Sequence, residues 1–376
     1  MSYDIVIIGA GMAGASIAAS AARTKRVALI EMEKAPGYHT TGRSAALYTE
    51  LYGNDIVREI TSAGRSFFEA PPNGFMRPLL YRRGCFYSVR PDQQRQAEAL
   101  IAAASARAIE LSTFSPQQMT QIIPLLKPGA VAFGLFEPHS MDIDVDGLHQ
   151  GYLRWSKELG VKILLGRKPQ IDRTAHGWSI ALGDDTISCS VIVNAAGAWA
   201  DSLAQECGAA ACGLVPHRRT VALVDPPEGS MANEMADWPA VIDIAEEFYF
   251  KPESGKLLCS PADEHPSDPC DAAPEEIDIA IAIDRMQSLL DYPIHRVASS
   301  WAGLRTFTID KTPVMGFDPE VEGFFWFAGQ GGYGIQMAPT LSELGARVLL
   351  GDPLSDADRR LALAMKPCRR ALREAA

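Results

Sequence analysis

The sequence predicts an α/β chain, with a Rossmann-like dinucleotide-binding domain interleaved with a substrate-binding domain on a mixed, largely antiparallel sheet. Three observations carry this prediction. The chain opens on a strand, a GxGxxG turn, a helix and a second strand that ends in an acid. Small-residue turns follow apolar strands again at "NAAGAWA" and "AGQGGYG". Between them, residues 213–302 change to proline-interrupted, alternating segments that read as antiparallel strands.

The opening run is "YDIVIIGAGMAGASIAASAARTKRVALIEMEK". Residues 4–8 are apolar and β-branched, as a buried parallel strand requires. Gly9, Gly11 and Gly14 follow, and Met12 and Ala13 begin an alanine-rich helix. Gly9 allows the tight turn, Gly11 lets backbone approach a pyrophosphate, and Gly14 permits close helix–strand contact. A second apolar strand ends at Glu31, seventeen residues after Gly14, where a carboxylate can accept ribose hydroxyls. An acid here disfavours a 2'-phosphate ligand. The fingerprint suits NAD and FAD alike. The next loop, "EKAPGYHTTGRSAALYTELYG", offers many donors to a longer cofactor, or is an ordinary polar connection.

Further along, residues 54–69 and 91–110 read as helices and 75–90 as strands with turns. An Asp-rich cap precedes an amphipathic helix from residue 144, and a strand follows at 161–165. A β-meander turning at Gly183-Asp184 returns to the strand 191–193. Residues 324–327 form another apolar strand, and its glycine-rich turn feeds a long helix whose positive end can face a ligand. The dinucleotide-type pieces are thus split along the chain, with the candidate site at a domain junction.

Composition narrows the partners. A net charge of -11 argues against nucleic acid or an anionic membrane surface, both of which select for clustered Lys and Arg. Seven dispersed cysteines without a CxxC pair read as reduced thiols, with no metal site. No apolar run reaches membrane-spanning length, and the chain enters a strand by residue 4, so a cytoplasmic location is expected.

Arg305, in "SSWAGLRTFTIDKTPVMG", lies among small and apolar residues, and its nearest following acid is Asp310. A buried guanidinium needs a partner. Either an acid distant in sequence supplies it, or a ligand does.

Together, "DIVIIGAGMAGASIA" with Glu31, "TTGRSAA", "VNAAGAWAD", "FYFKP", "WAGLRTFTIDKTPVMG" and "GGYGIQMAPTLSELGA" resemble the FAD-dependent D-amino acid dehydrogenases and oxidases of the D-amino acid oxidase superfamily. The likeness covers nearly the whole chain in order, and is nearest to bacterial D-arginine dehydrogenase. It implies a fold of the glutathione-reductase-2/D-amino acid oxidase type. Residues 1–70, 144–212 and 303–376 would bind FAD, and 71–143 and 213–302 the substrate. It implies noncovalent FAD, with Arg43, Ser44 and Ala45 near the isoalloxazine together with the turn from Gly329 to Gly334. Gly331, Gly332, Tyr333, Ile335 and Gln336 belong to that turn and the helix after it, while Ala196, Gly197 and Gly303 approach from elsewhere. For the substrate it implies Arg305 as carboxylate clamp, Arg219 and Tyr249 as helpers, and Tyr52 as a lid. Gly332 and Gln336 would neighbour the amine.

Chemistry favours these types, because a guanidinium meets a carboxylate with two parallel hydrogen bonds. Two departures stand out. Cys85 falls where D-arginine dehydrogenase carries an acid, and Leu47 stands where a histidine is expected. The resemblance therefore implies oxidative deamination of a D-amino acid with a neutral, apolar or aromatic side chain, using water as proton acceptor. The electron acceptor is open among quinone, dye and O2. Oxidation of glycine, N-methyl or cyclic amino acids is the nearest alternative. A flavoprotein acting on tRNA, or a subunit of a hetero-oligomeric dehydrogenase, are the others.

Overall fold

The computed structural model describes residues 1–76, 78–226 and 234–373. Arg77 and residues 227–233, within the stretches read as strands, lie outside the described residues.

The strand Ser2–Ile8 pairs in parallel with Val27–Ile30 on one side and Asp185–Asn194 on the other. Phe324–Ala328 joins in parallel beside the end of Asp185–Asn194. Alternation explains the unbroken apolar run. Ile5 and Ile7 pack on the face that holds helices Met12–Ala21 and Gly334–Leu350, whereas Val6 and Ile8 pack with Trp178 and Trp326 on the other. The predicted meander is Gly177–Leu182 and Asp185–Asn194, turning through Gly183 at φ 75°. Asp144 caps the helix Val145–Glu158, its side chain accepting from the Gly147 N–H.

A nine-stranded sheet forms the second layer. Its long pair is Val215–Val224 against Val297–Phe307, antiparallel, with His217 opposite Arg305 and Arg219 opposite Gly303. Lys256–Ser260, Tyr249–Glu253 and Ala240–Asp243 continue it. Cys85–Val89 then pairs in parallel with Ala240–Asp243 and antiparallel with Phe133–Glu137. A small sheet, with Leu47–Tyr48 and Leu80–Arg82 on either side of Met141–Ile143, holds the loop after Tyr48.

One segment departs from the sequence reading. Residues 276–289, inside the stretch read as strands, form the helix Glu276–Leu289. The alternation of Ile277, Ile279, Ile281 and Ile283 mimics a strand. The buried set, Ala282, Met286 and Leu289, recurs at helical spacing and packs on the sheet core with Val224 and Leu257. This helix also divides the Arg218-Arg219 doublet. Strand alternation turns Arg218 to Glu275 and Asp278 at the helix start, which leaves Arg219 on the same face as Arg305.

Candidate active site

The first part of the site is backbone. Gly9 has φ 101°, and a Cβ there would stand 2.4 Å from the Ala195 carbonyl oxygen. A Cβ on Gly14 would stand 1.7 Å from the Gly9 carbonyl oxygen, so only glycine lets the helix seat on the turn. The turn is pinned through Ala10. Its N–H donates to Glu31 Oε2 at 2.8 Å, and its carbonyl accepts from His149 Nε2 at 2.9 Å. Glu31 Oε1 accepts from the Glu33 N–H at 3.0 Å, which leaves carboxylate lone pairs for ribose hydroxyls.

A cavity of about 390 Å³ runs from this turn to Arg305. Gly9, Gly11, Met12, Ala13 and Glu31 line its first end. Arg43, Ser44 and Ala45 line it next, with Ala196, Gly197 and Gly303 facing them. Gly329, Gly331, Gly332 and Gly334, with Ile335 and Gln336, line the far end. Two residues read as cofactor contacts stand back from it. Gly14 is spent on helix seating, and Tyr333 packs its ring on Tyr52 at 4.7 Å and on Phe307 at 5.8 Å. Arg43 is also held by protein, donating to the carbonyls of Ala272 and Ala302 and pairing with Asp271. A cavity that joins a phosphate-ready glycine turn and an acid with lone pairs for ribose hydroxyls to a second glycine-rich turn fits FAD.

The second part of the site is a cage of charges. Arg305 is 8% exposed; its Nη1 donates to the Tyr52 hydroxyl at 3.1 Å and its Nη2 to Glu264 Oε1 at 2.8 Å. Its Nε is buried without a partner. Glu264 Oε2 accepts from Lys311 at 2.8 Å, and Arg219 Nη2 stands 3.6 Å from Glu264 Oε1. Burial opposes charge on Glu264, but Lys311 and Arg305 outweigh it and hold the carboxyl below the usual range. Burial likewise opposes charge on Arg305, and Tyr52 and Glu264 outweigh it. Arg219 donates from Nε to the Asp263 carbonyl at 2.9 Å and lies over the Tyr249 ring at 5.8 Å.

Arg305 therefore has the distant acid and also lines the cavity. Gly332 explains the close approach, because a Cβ there would stand 2.8 Å from Arg305 Nη1. Gln336 turns its amide away, accepting from the Thr49 N–H at 3.3 Å and donating to Thr61 Oγ1 at 3.1 Å.

Sequence reasoning missed Glu264, Thr49, Glu246, Lys251 and His39. All but Glu264 line the cavity. Lys251 could have been found by alternation, two residues after Tyr249. It is buried with Asp142 and Glu253 at 2.8 and 2.9 Å. His39 reaches the cavity beside Trp199, held by Glu33 at 3.0 Å. Cys85 departs from its expected place. Leu47 lines the cavity, whereas Cys85 is fully buried behind Ala240 and directly opposite Glu137. Among the described residues, no helix is long and apolar enough to cross a membrane.

Residues 4–348 match the family model described as FAD dependent oxidoreductase. The chain is 22% identical to "FAD-dependent oxidoreductase domain-containing protein 1" of Bos taurus, over 92% of this chain and 81% of that one. Glycine oxidase from Geobacillus kaustophilus superposes with a TM-score of 0.83 at 19% identity, covering 94% of this chain and 96% of the other. L-α-glycerophosphate oxidase from Mycoplasma pneumoniae, solved with FAD bound, gives 0.82 at 16% identity, with 93% and 95% covered. The glycine cradle, its ribose acid and the family match converge, and the chain belongs to the FAD-dependent oxidoreductases, with FAD as its cofactor.

Proposed function

We propose that the chain catalyses oxidative deamination of a D-amino acid whose side chain is neutral and largely apolar. The carrying observation is Arg305, a buried guanidinium that lines the far end of the cofactor cavity, held there by the Tyr52 hydroxyl and Glu264. A carboxylate is the ligand that meets such a fork with two parallel bonds. The resemblance in the Arg305, Tyr249 and glycine-turn motifs supports the D configuration, and Leu47, Ile242 and Phe248 on the cavity wall support an apolar side chain. The two-domain division at 70/71, 143/144, 212/213 and 302/303 belongs to the same proposal.

Bound FAD supplies the two-electron acceptor for the hydride that leaves Cα, and water hydrolyses the resulting imine to a 2-oxo acid and ammonia. The chain's residues orient the substrate. Arg305 and Tyr52 hold the carboxylate, Arg219 and Tyr249 flank it, and the glycine at 332 admits it beside the guanidinium. Glu264 is the competing anion, so substrate binding draws Arg305 Nη2 away from it. The ammonium proton passes to water. The likeness to glycine oxidase favours a second reading, oxidation of glycine or a secondary amine at the same clamp.

Anaerobic bleaching of the flavin across D- and L-amino acids, glycine and sarcosine tests both readings. Bleaching by neutral D-amino acids is expected, and a clear preference for D-arginine or for L-amino acids would sink the first reading. Arg305→Ala should cost about 3–5 kcal/mol in transition-state binding, lowering kcat/KM on the order of 10²–10⁴-fold. Peroxide release under O2, against reduction of a quinone or dye, identifies the electron acceptor.

A further inference from the structure

Behind the charge cage, outside the cavity itself, stands a turn that the proposed chemistry does not use. The strand Val297–Phe307, which carries Arg305, runs directly into it at residues 308–312. Lys311 sits there with φ 53°, a left-handed backbone that a lysine keeps only where its surroundings impose it. Inside the turn, the Lys311 N–H donates to the Thr308 carbonyl at 3.0 Å and the Thr312 N–H to Asp310 Oδ1 at 3.1 Å. The strongest hold comes from far along the chain. Arg369, whose side chain is 9% exposed, donates from Nε to Asp310 Oδ2 and from Nη2 to Asp310 Oδ1, each at 2.7 Å. The same guanidinium reaches the backbone, donating from Nη2 to the Thr312 carbonyl at 2.7 Å and from Nη1 to the Pro313 carbonyl at 3.1 Å. A two-pronged pair of this kind fixes orientation as well as distance. Asn54 braces the turn from the other side, donating to the Asp310 carbonyl at 3.2 Å and to Thr312 Oγ1 at 2.8 Å, but it brings no charge to answer Asp310.

The backbone so held aims Lys311 at one target. Its ammonium meets Glu264 Oε2 at 2.8 Å, on the carboxylate whose Oε1 accepts from Arg305. A carboxylate shared between two cations is drawn less strongly to either, so Lys311 leaves Arg305 freer to turn to an incoming anion. We propose that Arg369 is a positioning residue for substrate binding: it locks the turn that keeps Lys311 on Glu264, and so keeps the Arg305 guanidinium available to the substrate's carboxylate. The inference rests on the carboxylate-clamp reading above. Neither Lys311 nor Arg369 lines the cavity, so both act on the substrate through Glu264 and Arg305.

The test uses the holoenzyme with D-leucine and D-phenylalanine. Anaerobic flavin bleaching is followed over substrate concentration, so that the half-saturating concentration separates from the limiting rate. Lys311→Asn keeps a residue suited to the left-handed backbone and removes the ammonium. It should raise the half-saturating concentration by about 2- to 5-fold, as for a partly exposed ion pair, and leave the limiting rate unchanged. Arg369→Ala should give the same split, and Arg369→Lys, which keeps the charge but not the fork, should fall between it and wild type. In a Glu264→Gln background, which removes the anion both residues act on, neither substitution should move the half-saturating concentration. A merely structural Arg369 would lower flavin content or Tm equally in both backgrounds. A half-saturating concentration unmoved by Lys311→Asn, or an Arg369 effect that survives Glu264→Gln undiminished, would overturn this inference alone. Where Arg369→Ala does not fold, Arg369→Lys carries the same comparison. Failure of both amino acids to bleach the wild-type flavin would overturn the neutral D-amino acid reading, and this inference with it.

Discussion

The two ends of the cavity are made of different material. At the adenosine end, backbone does the recognition, with Gly9, Gly14 and the pinned Ala10 forming the turn and a single side chain, Glu31, adding specificity. At the substrate end, long charged side chains from several strands and loops share one another, and the carboxylate of Glu264 joins Arg305 to Lys311. Backbone recognition tolerates almost no added volume. A charge cage can be retuned by one residue, because its members compensate for one another. In the proposed function, the first end fixes the cofactor and the second can be adapted to different substrates.

The sharpest way to break this comparison is at Gly14. Gly14→Val pushes a side chain into the Gly9 carbonyl, a backbone contact that cannot yield. Flavin bound per protein should fall by on the order of 10–100-fold, matching an overpacking cost of about 1–3 kcal/mol. Normal flavin absorbance in the purified variant would refute the rigid-cradle account. At the other end, Glu264→Gln removes the competing anion while keeping its shape. The dissociation constant for a simple carboxylate, read from perturbation of the flavin spectrum, should tighten by about 2- to 5-fold. Weaker binding would mean that Glu264 orients Arg305 instead of competing for it.

The smallest effect is on stability. Burial pushes the Glu137 carboxyl above its ordinary value of 4.5, against the pull of Thr49 and Tyr87. The folded chain then holds this proton more tightly than the unfolded chain. The group's contribution is most favourable below about 4.5 and declines as pH rises through the raised folded value. Glu137→Gln should flatten that decline, so the Tm of the variant relative to wild type should rise as pH increases above 4.5. A difference that stays constant with pH would show that Glu137 does not titrate in this window.

The same contrast explains what could be read from the sequence. The cradle was legible because its parts are adjacent: strand, turn, helix and acid follow one another within the first 31 residues. Arg305 was conspicuous as a charge among small residues, yet its partner Glu264 lies in a loop with no local signature. Glu137 was invisible for a similar reason, since only the pairing of two strands brings it behind Cys85. The helix Glu276–Leu289 was misread because alternating isoleucines satisfy a two-residue period while its buried residues follow a helical one. Local chemistry writes local patterns, and tertiary pairing writes none.

The threading of the first sheet has a consequence for how the protein comes into being. Ser2–Ile8, made first, finds a parallel partner in Asp185–Asn194, and that strand in turn waits for Phe324–Ala328. The glycine turn that closes the far end of the cavity comes next. Pairings across such sequence separations are slow to form, and the apolar strand exposed meanwhile invites aggregation. Everything up to this turn must be synthesised before the cavity can close around FAD. The cofactor is then a late ligand of the folded state, stabilising it by mass action.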